Sequence, residues 1–410
     1  MNDVVRTILS YLFVRKFLLS LLFILNVHVS ANAELFTVNG TQLISQVGDQ
    51  FNYTKPKWNS EATYLSFEKY SPRERLLFTY ETAKGYASEV KSTLGSSGSP
   101  NLMPGGFMNT SRSVANFDMT WSKAQKSHFT FIGSGDQGNF GMYHQQEGGA
   151  SETLELIVGG EPGGPYVAHP DYHPLVDYLV FCLGERAGSN KEDEARLDLY
   201  AVEQTKKGYQ TKVESTLLQG VPQIEPTFAP DGNMVAFTGV KNGNNDIYVI
   251  DVAINPRSSR PVRWKQVKRL TSMPTPEVHP QFSPDGQQIA FISGYGQEKK
   301  EWGLWVMNSD GTNQRKLVDR VYEEDSPEWH PNGTHIFFVR QLEAQNNPIQ
   351  YVSVNTGEIQ TLETGTSLHT HLSISQSGDK IAYTAKGKKS DKDLTWLKLY
   401  TAFLNTSSAR

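Results

Sequence analysis

The sequence predicts an all-β chain, a β-propeller of four-stranded blades, and three observations predict it. The first is a turn-centred unit that recurs along the chain: Glu225–Phe237 (EPTFAPDGNMVAF), Val278–Ile292 (VHPQFSPDGQQIAFI), Ser326–Phe338 (SPEWHPNGTHIFF) and His371–Tyr383 (HLSISQSGDKIAY). His169–Phe181 keeps the frame without Asp-Gly, and two degraded copies are read at Trp121–Phe131 and Tyr70–Phe78. The second is spacing, because the turn positions Pro72, Lys123, Pro174, Pro230, Pro284, Pro331 and Gln376 recur every 45 to 56 residues. The third is turn chemistry: 34 Gly and 20 Pro accompany 11% aromatics, the composition of repeated hairpins around apolar strands.

Each unit reads as a blade. Alternating residues ending in an aromatic form the first strand; Pro, Asp or Asn, and Gly then make a tight turn. A short apolar run such as Ile289–Ile292 returns. Third strands follow at Asp246–Asp251, Gly303–Met307 and Gln350–Val354, and fourth strands at Lys268–Thr271, Gln314–Val318 and Ile359–Leu362. One blade cannot bury both faces, so blades stack until a ring closes. Seven units are counted, with six blades plus a cap as the alternative.

The ends predict how the ring closes. The last unit has a third strand, Leu394–Tyr400, and no fourth. Leu35–Ile44 reads as third-strand tail, turn and fourth strand, so the N-terminal strand is expected to complete the last blade and remove an edge.

Residues 1–33 read as an export signal. Arg6, Arg15 and Lys16 precede the apolar run Phe17–Val29, and Ala31-Asn32-Ala33 supplies small residues for cleavage before Glu34. The run is too short to span a bilayer. The expectation is one propeller domain over 34–410, periplasmic or secreted, monomeric and without a transmembrane span after cleavage.

Composition excludes several classes. A lone Cys182, inside the apolar run DYLVFCLG, rules out disulfides and Cys-based metal sites and reads as a buried small hydrophobe. A net charge of −4 gives no nucleic-acid surface. No HExxH, GxSxG or GxxxxGK[ST] occurs. Gly133–Gly138 matches GxGxxG, but the strand-like Asn139–Tyr143 that follows makes it a hairpin loop. The charged runs Lys191–Arg196 and Lys386–Asp393 read as solvated loops, and Gly95–Gly106 as a long loop over one face. Sequons stand at Asn39, Asn52, Asn109, Asn332 and Asn405, with Asn332 placed for its turn.

The repeats FAPDGNMVAF, FSPDGQQIAF and WHPNGTHIFF resemble the TolB-type propeller repeat, strongly from Val221 onward. The resemblance is specific for fold and silent on function, since one scaffold hosts many activities. TolB's additional N-terminal domain has no counterpart here.

One repeat position offers chemistry. Three residues before the first-strand aromatic stand Asp118, His169, Glu225, His279, Ser326 and His371, which are expected to ring the central funnel. Two readings stay open. In the structural one, which is preferred, these side chains bond backbone at the strand start and no cofactor is needed. In the other they hold a divalent metal ion or polarise a substrate. The chain is similar here to oligogalacturonate lyases, whose resemblance implies His169, His279, His369 and His371 as metal or base candidates, although Ser326 departs from that pattern. The favoured function is a non-catalytic module of the cell envelope binding a protein, peptide or glycan. The alternative is a metal-assisted polysaccharide lyase.

Overall fold

The computed structural model describes residues 34–45, 50–71, 74–90, 116–125, 127–134, 140–146, 155–159, 166–176, 178–184, 197–205, 208–210, 223–241, 243–255, 262–296, 299–322, 326–342, 347–388 and 395–408. The proposed signal, the Gly95–Gly106 loop, the Lys191–Arg196 run and Asn109 lie outside them. The chain divides into a unit of Val38–Leu404 and a small unit of Met1–Thr37 with Asn405–Arg410. In the small unit, the described residues are strand ends, with Ser407 Oγ donating to Leu35 O at 3.4 Å.

The large unit is a seven-bladed β-propeller. Its strands form seven antiparallel four-stranded sheets, and in six of them the strands follow chain order. The first strands are Asn52–Trp58, Asn116–Trp121, Tyr166–Tyr172, Gln223–Phe228, Glu277–Phe282, Glu328–Trp329 and Thr366–Ile374, which define blades 1 to 7. Each touches the next, and the seventh touches the first, so the ring closes on itself around these strands.

Closure follows the predicted plan. In blade 7 the strand Glu34–Leu43 pairs with Lys398–Ser408 as the outermost strand. It is one continuous strand, without the turn expected inside it. Ile44 N–H donates to Leu399 O at 2.9 Å, and Leu397 N–H to Asn52 Oδ1 at 2.9 Å. Tyr53, Leu65, Phe67 and Tyr80 of blade 1 pack with Ala382 and Leu399 of blade 7, so apolar burial seals the junction. The other described interfaces use the same logic. Ala236, Ile247 and Val249 of blade 4 pack on Phe282, Ile289 and Phe291 of blade 5.

Blade 1 corrects the sequence frame. Pro72 is not its first turn; Tyr64–Ser71 and Glu74–Glu81 are its second and third strands. The first strand is Asn52–Trp58, and the equivalent turn runs through Asn59–Ala62. Ala62 holds φ +52° where Gly232, Gly286, Gly333 and Gly378 hold φ between +71° and +76°. The Asp-Gly signal is absent here because an alanine occupies the left-handed turn position.

The charged run Lys386–Asp393 is not wholly a loop, because the strand Lys380–Lys388 takes in its first three residues. Gly133 and Ser134 end one strand and Phe140–Gln146 forms the next, so the GxGxxG match belongs to a hairpin. Cys182 is fully buried, and burial pushes its thiol well up, leaving it inert. Asn332 Oδ1 accepts Thr334 N–H at 3.0 Å, an Asx turn.

Candidate functional site

The funnel ring is built by a bulge repeated in the first strands. In blade 4, Glu225 and Pro226 lie opposite Phe237 alone, between the pairs Ile224–Thr238 and Thr227–Ala236. The same shift occurs at Lys55-Pro56, Asp118-Met119, His169-Pro170 and His279-Pro280. Proline suits this place, because a bulge residue owes no ladder hydrogen bond. The first bulge residue is left-handed in all five, with φ from +48° to +56°. Blade 7 differs: its bulge is Thr370-His371 and its left-handed residue is Leu368.

The bulges turn ring carboxylates toward the following blade. Asp118 Oδ2 accepts His169 N–H at 2.6 Å, and Glu225 Oε2 accepts His279 N–H at 3.0 Å. Glu225 Oε2 also accepts Thr238 Oγ1, while its Oε1 lies 2.9 Å from His279 Nδ1. His169 Nδ1 is 3.7 Å from Asp118 Oδ2. Upstream, Glu68 Oε1 accepts Asp118 N–H at 2.9 Å and pairs with Arg75. Two positions further along, Asp171 Oδ2 accepts Phe228 N–H at 2.8 Å. Four acids therefore fasten blades 1 to 2, 2 to 3, 3 to 4 and 4 to 5.

Electrostatics agree with that role. Burial alone raises the Asp118 carboxyl, but His169, Lys55 and Lys57 outweigh it and hold it at about 2. Glu225 is likewise held at about 2 against burial, chiefly by His279. Both stay ionised at neutral pH as acceptors of fixed N–H groups.

The histidines of the ring do not share one environment. His169 and His279 face the carboxylates just described. Burial, then Lys55 and Arg75, press the His371 imidazole down to about 3, so it is neutral. His369 is set apart: its Nδ1 bonds Asn347 O at 2.7 Å, and its Nε2 lies 2.9 Å from both Thr364 Oγ1 and Thr366 Oγ1. Nδ1–H donates to the carbonyl, so the ring's one lone pair is on Nε2, where it is taken up as the acceptor of a threonine hydroxyl. Among the described residues, no group of three or more His, Cys, Asp or Glu is placed to hold a metal ion.

Sequence reasoning missed three things. Lys55 occupies the ring position of blade 1, hidden by the misplaced frame. Glu328 of blade 6 is half-buried and makes no hydrogen bond among the described residues; burial pushes it up to about 7 against the pull of Lys57. His173 and His330, in the turns, bond the neighbouring blade's glycine carbonyl. The repeated His-Pro in those turns was the available signal.

Residues 202–395 match the family model of the TolB beta propeller domain. Over that stretch the chain carries the TolB-type propeller repeat. Relatives share stretches of this repeat. The "Uncharacterized peptidase YuxL" of Bacillus subtilis is 31% identical over 124 residues, 30% of this chain and 18% of that protein. Dipeptidyl-peptidase 5 of Porphyromonas gingivalis is 28% identical over 34% of this chain and 20% of that protein. The Tol-Pal system protein TolB of Anaeromyxobacter dehalogenans is 28% identical over 26% of this chain and 21% of that protein. The chain thus spans about a fifth of each of these relatives.

Solved structures place the fold. An oligogalacturonate lyase of Vibrio parahaemolyticus superposes with TM-score 0.59 at 11% identity, covering 90% of this chain and 96% of that one. An oligogalacturonate lyase in complex with manganese gives 0.59 at 12%, covering 91% and 96%. A puromycin-hydrolyzing peptidase of Mycobacterium tuberculosis gives 0.56 at 12%, covering 82% of this chain and 49% of that one. At such identities the likeness is one of fold.

Proposed function

We propose that this TolB-type propeller is an exported, non-catalytic binding module of the cell envelope, offering its funnel mouth to a protein, peptide or glycan. One observation carries the reading: the ring acids Asp118 and Glu225 are committed to the backbone of the next blade. Groups spent on holding blades together are poorly placed to cycle protons or hold a metal. Export rests on the Arg6–Ala33 pattern, and no helix among the described residues is long and apolar enough to cross a membrane.

The lyase reading has the oligogalacturonate lyase fold in its favour, covering nearly the whole of both chains. Against it stand the engaged nitrogens of His369. Capture of partners from an envelope extract by the purified protein tests the favoured reading. A parallel assay follows ultraviolet-absorbing unsaturated ends on polygalacturonate with manganese added. Saturable capture without those ends is expected; manganese-dependent β-elimination would replace the binding reading with the lyase one.

A further inference from the structure

We propose that the cavity between the turns of blades 4 and 5 docks an arginine side chain of a protein partner. None of the ring residues lines it, so the site is separate from the funnel mouth. Its volume is about 380 Å³, near the lower end of the range for ligand sites. That suits one long side chain and the backbone beside it.

The propeller brings the walls together from separate stretches of chain. The turn after the first strand of blade 4 supplies Asp231 and Asn233, and the matching turn of blade 5 supplies Asp285 and Gln287. Asp251 comes from the third strand of blade 4, where it lies opposite Met234, and Lys265 from the fourth strand. The pairing of those two strands shifts between Ile250 and Val252, which sets Lys265 and Gln266 together opposite Asp251. Met234, Val252 and Phe282 add apolar lining.

Charge in the cavity is not cancelled from within. Three carboxylates stand against one ammonium, and among the described residues Lys265 closes no ion pair with any of them. The Asp251 side chain makes no hydrogen bond there either. Asp285 is held in direction by Ser283 Oγ and Gln287 N–H, which donate to its Oδ1 at 2.6 and 3.0 Å and leave Oδ2 open. Asp231 is held by Asn233, whose N–H donates to Oδ1 at 3.0 Å and whose amide donates to Oδ2 at 3.3 Å. Two of the three acids are therefore oriented before a ligand arrives.

The lining selects the occupant. Acids on three separate segments match donors that spread, which the five N–H groups of a guanidinium provide and a compact ammonium does not. The apolar lining suits the methylene stem, and a guanidinium sheds water more readily than an ammonium. An acidic ligand would meet repulsion.

Isothermal titration of the protein expressed from the full chain, in about 0.15 M salt, uses triarginine, tricitrulline and trilysine. Tricitrulline keeps the side-chain length and shape without the charge. Triarginine is expected to bind saturably, at least about tenfold more tightly than either of the others. Asp251→Asn and Gln287→Lys are each expected to weaken it about tenfold. Glu363→Gln, which removes an exposed acid between blades 6 and 7, is expected to leave it unchanged. Thermal melts report that all three variants fold. Absence of saturable triarginine binding, equal binding of trilysine or tricitrulline, an equal loss in Glu363→Gln, or unchanged affinity in both Asp251→Asn and Gln287→Lys overturns the site.

Discussion

The Nε2 of His173 in blade 3 lies 3.2 Å from the carbonyl oxygen of Gly232 in the turn of blade 4. Its Nδ1 accepts Leu175 N–H and Val176 N–H at 3.1 and 3.2 Å, so Nε2 carries the proton and donates across the junction. Blade 6 repeats the latch, with His330 Nε2 3.3 Å from Gly378 O. The approach leaves no room for a side chain: a Cβ on Gly232 would stand 1.9 Å from His173 Nε2, at φ +75°. Gly232→Ala should therefore cost about 3 kcal/mol, combining left-handed strain with a displaced ring. His173→Ala should cost about 1–2 kcal/mol. Denaturant melts of both variants check the order.

Ala62 offers the opposite change. It occupies the left-handed turn position that glycine holds in the four clearest blades, with its N–H donating to Asn59 O at 3.0 Å. Left-handed geometry costs an L-residue about 1–2 kcal/mol, and glycine loses about 0.5–1 kcal/mol of chain entropy. Ala62→Gly should be neutral to stabilising by about 1 kcal/mol, read as a small rise in melting temperature. A clear fall would show that the Ala62 methyl group matters more than the turn.

Two buried carboxyls at the junction of blades 4 and 5 predict a loss of stability as pH rises toward neutral. Asp246 and Glu277 are almost wholly buried, and Asp246 Oδ2 and Glu277 Oε2 each lack a hydrogen-bond donor. Among the described residues, Arg269 alone is ion-paired with them, 2.8 Å from Asp246 Oδ1. A proton on Glu277 shared with Asp246 satisfies both oxygens. Burial, and then the Asp246 charge, raise Glu277 to about 7. With its folded pKa above the unfolded value, Glu277 contributes stability in full below about pH 4.5, lost as pH rises through 7. Glu277→Gln, which carries a permanent N–H donor, should gain on wild type across that window. Thermal melts from pH 5 to pH 8 with a constant difference would contradict this.

The ring acids predict the reverse slope. Asp118 and Glu225 have folded values near 2, below their unfolded ones, so their ties are present at neutral pH. They are lost as pH falls from about 4.5 through 2. Glu225→Ala should cost about 2–3 kcal/mol at pH 7, because the His279 N–H loses a charged acceptor. The difference should shrink toward pH 2, as acid-titration melts would show.

How far the sequence could be read depended on what each residue was asked to announce. Pro-Asp-Gly in blades 4 and 5 declared its turn, because those residue types have few other uses in that order. Blade 1 stayed hidden because Ala62 does a glycine's work and because Ser71–Glu74 imitates a first turn. That slip concealed Lys55. The left-handed bulge falls on the residue singled out in the sequence in four blades, at Asp118, His169, Glu225 and His279, whereas in blade 7 it falls on Leu368 instead of His371. The partners were not legible, since whether Asp118 reaches the N–H of His169 depends on two bulges 51 residues apart in the chain. His369 shows the limit most plainly: H-x-H reads as a metal pair, but the intervening bulge sends the first imidazole to Thr364 and Thr366.

The central claim is that the funnel acids Asp118 and Glu225, with His169 and His279 as their partners, hold blades together and do not assemble a catalytic metal. Titration of manganese into the purified protein, followed by calorimetry, tests it most directly. The account predicts no saturable binding at the ring. Stoichiometric binding that is abolished by His279→Ala and retained in His330→Ala would contradict it.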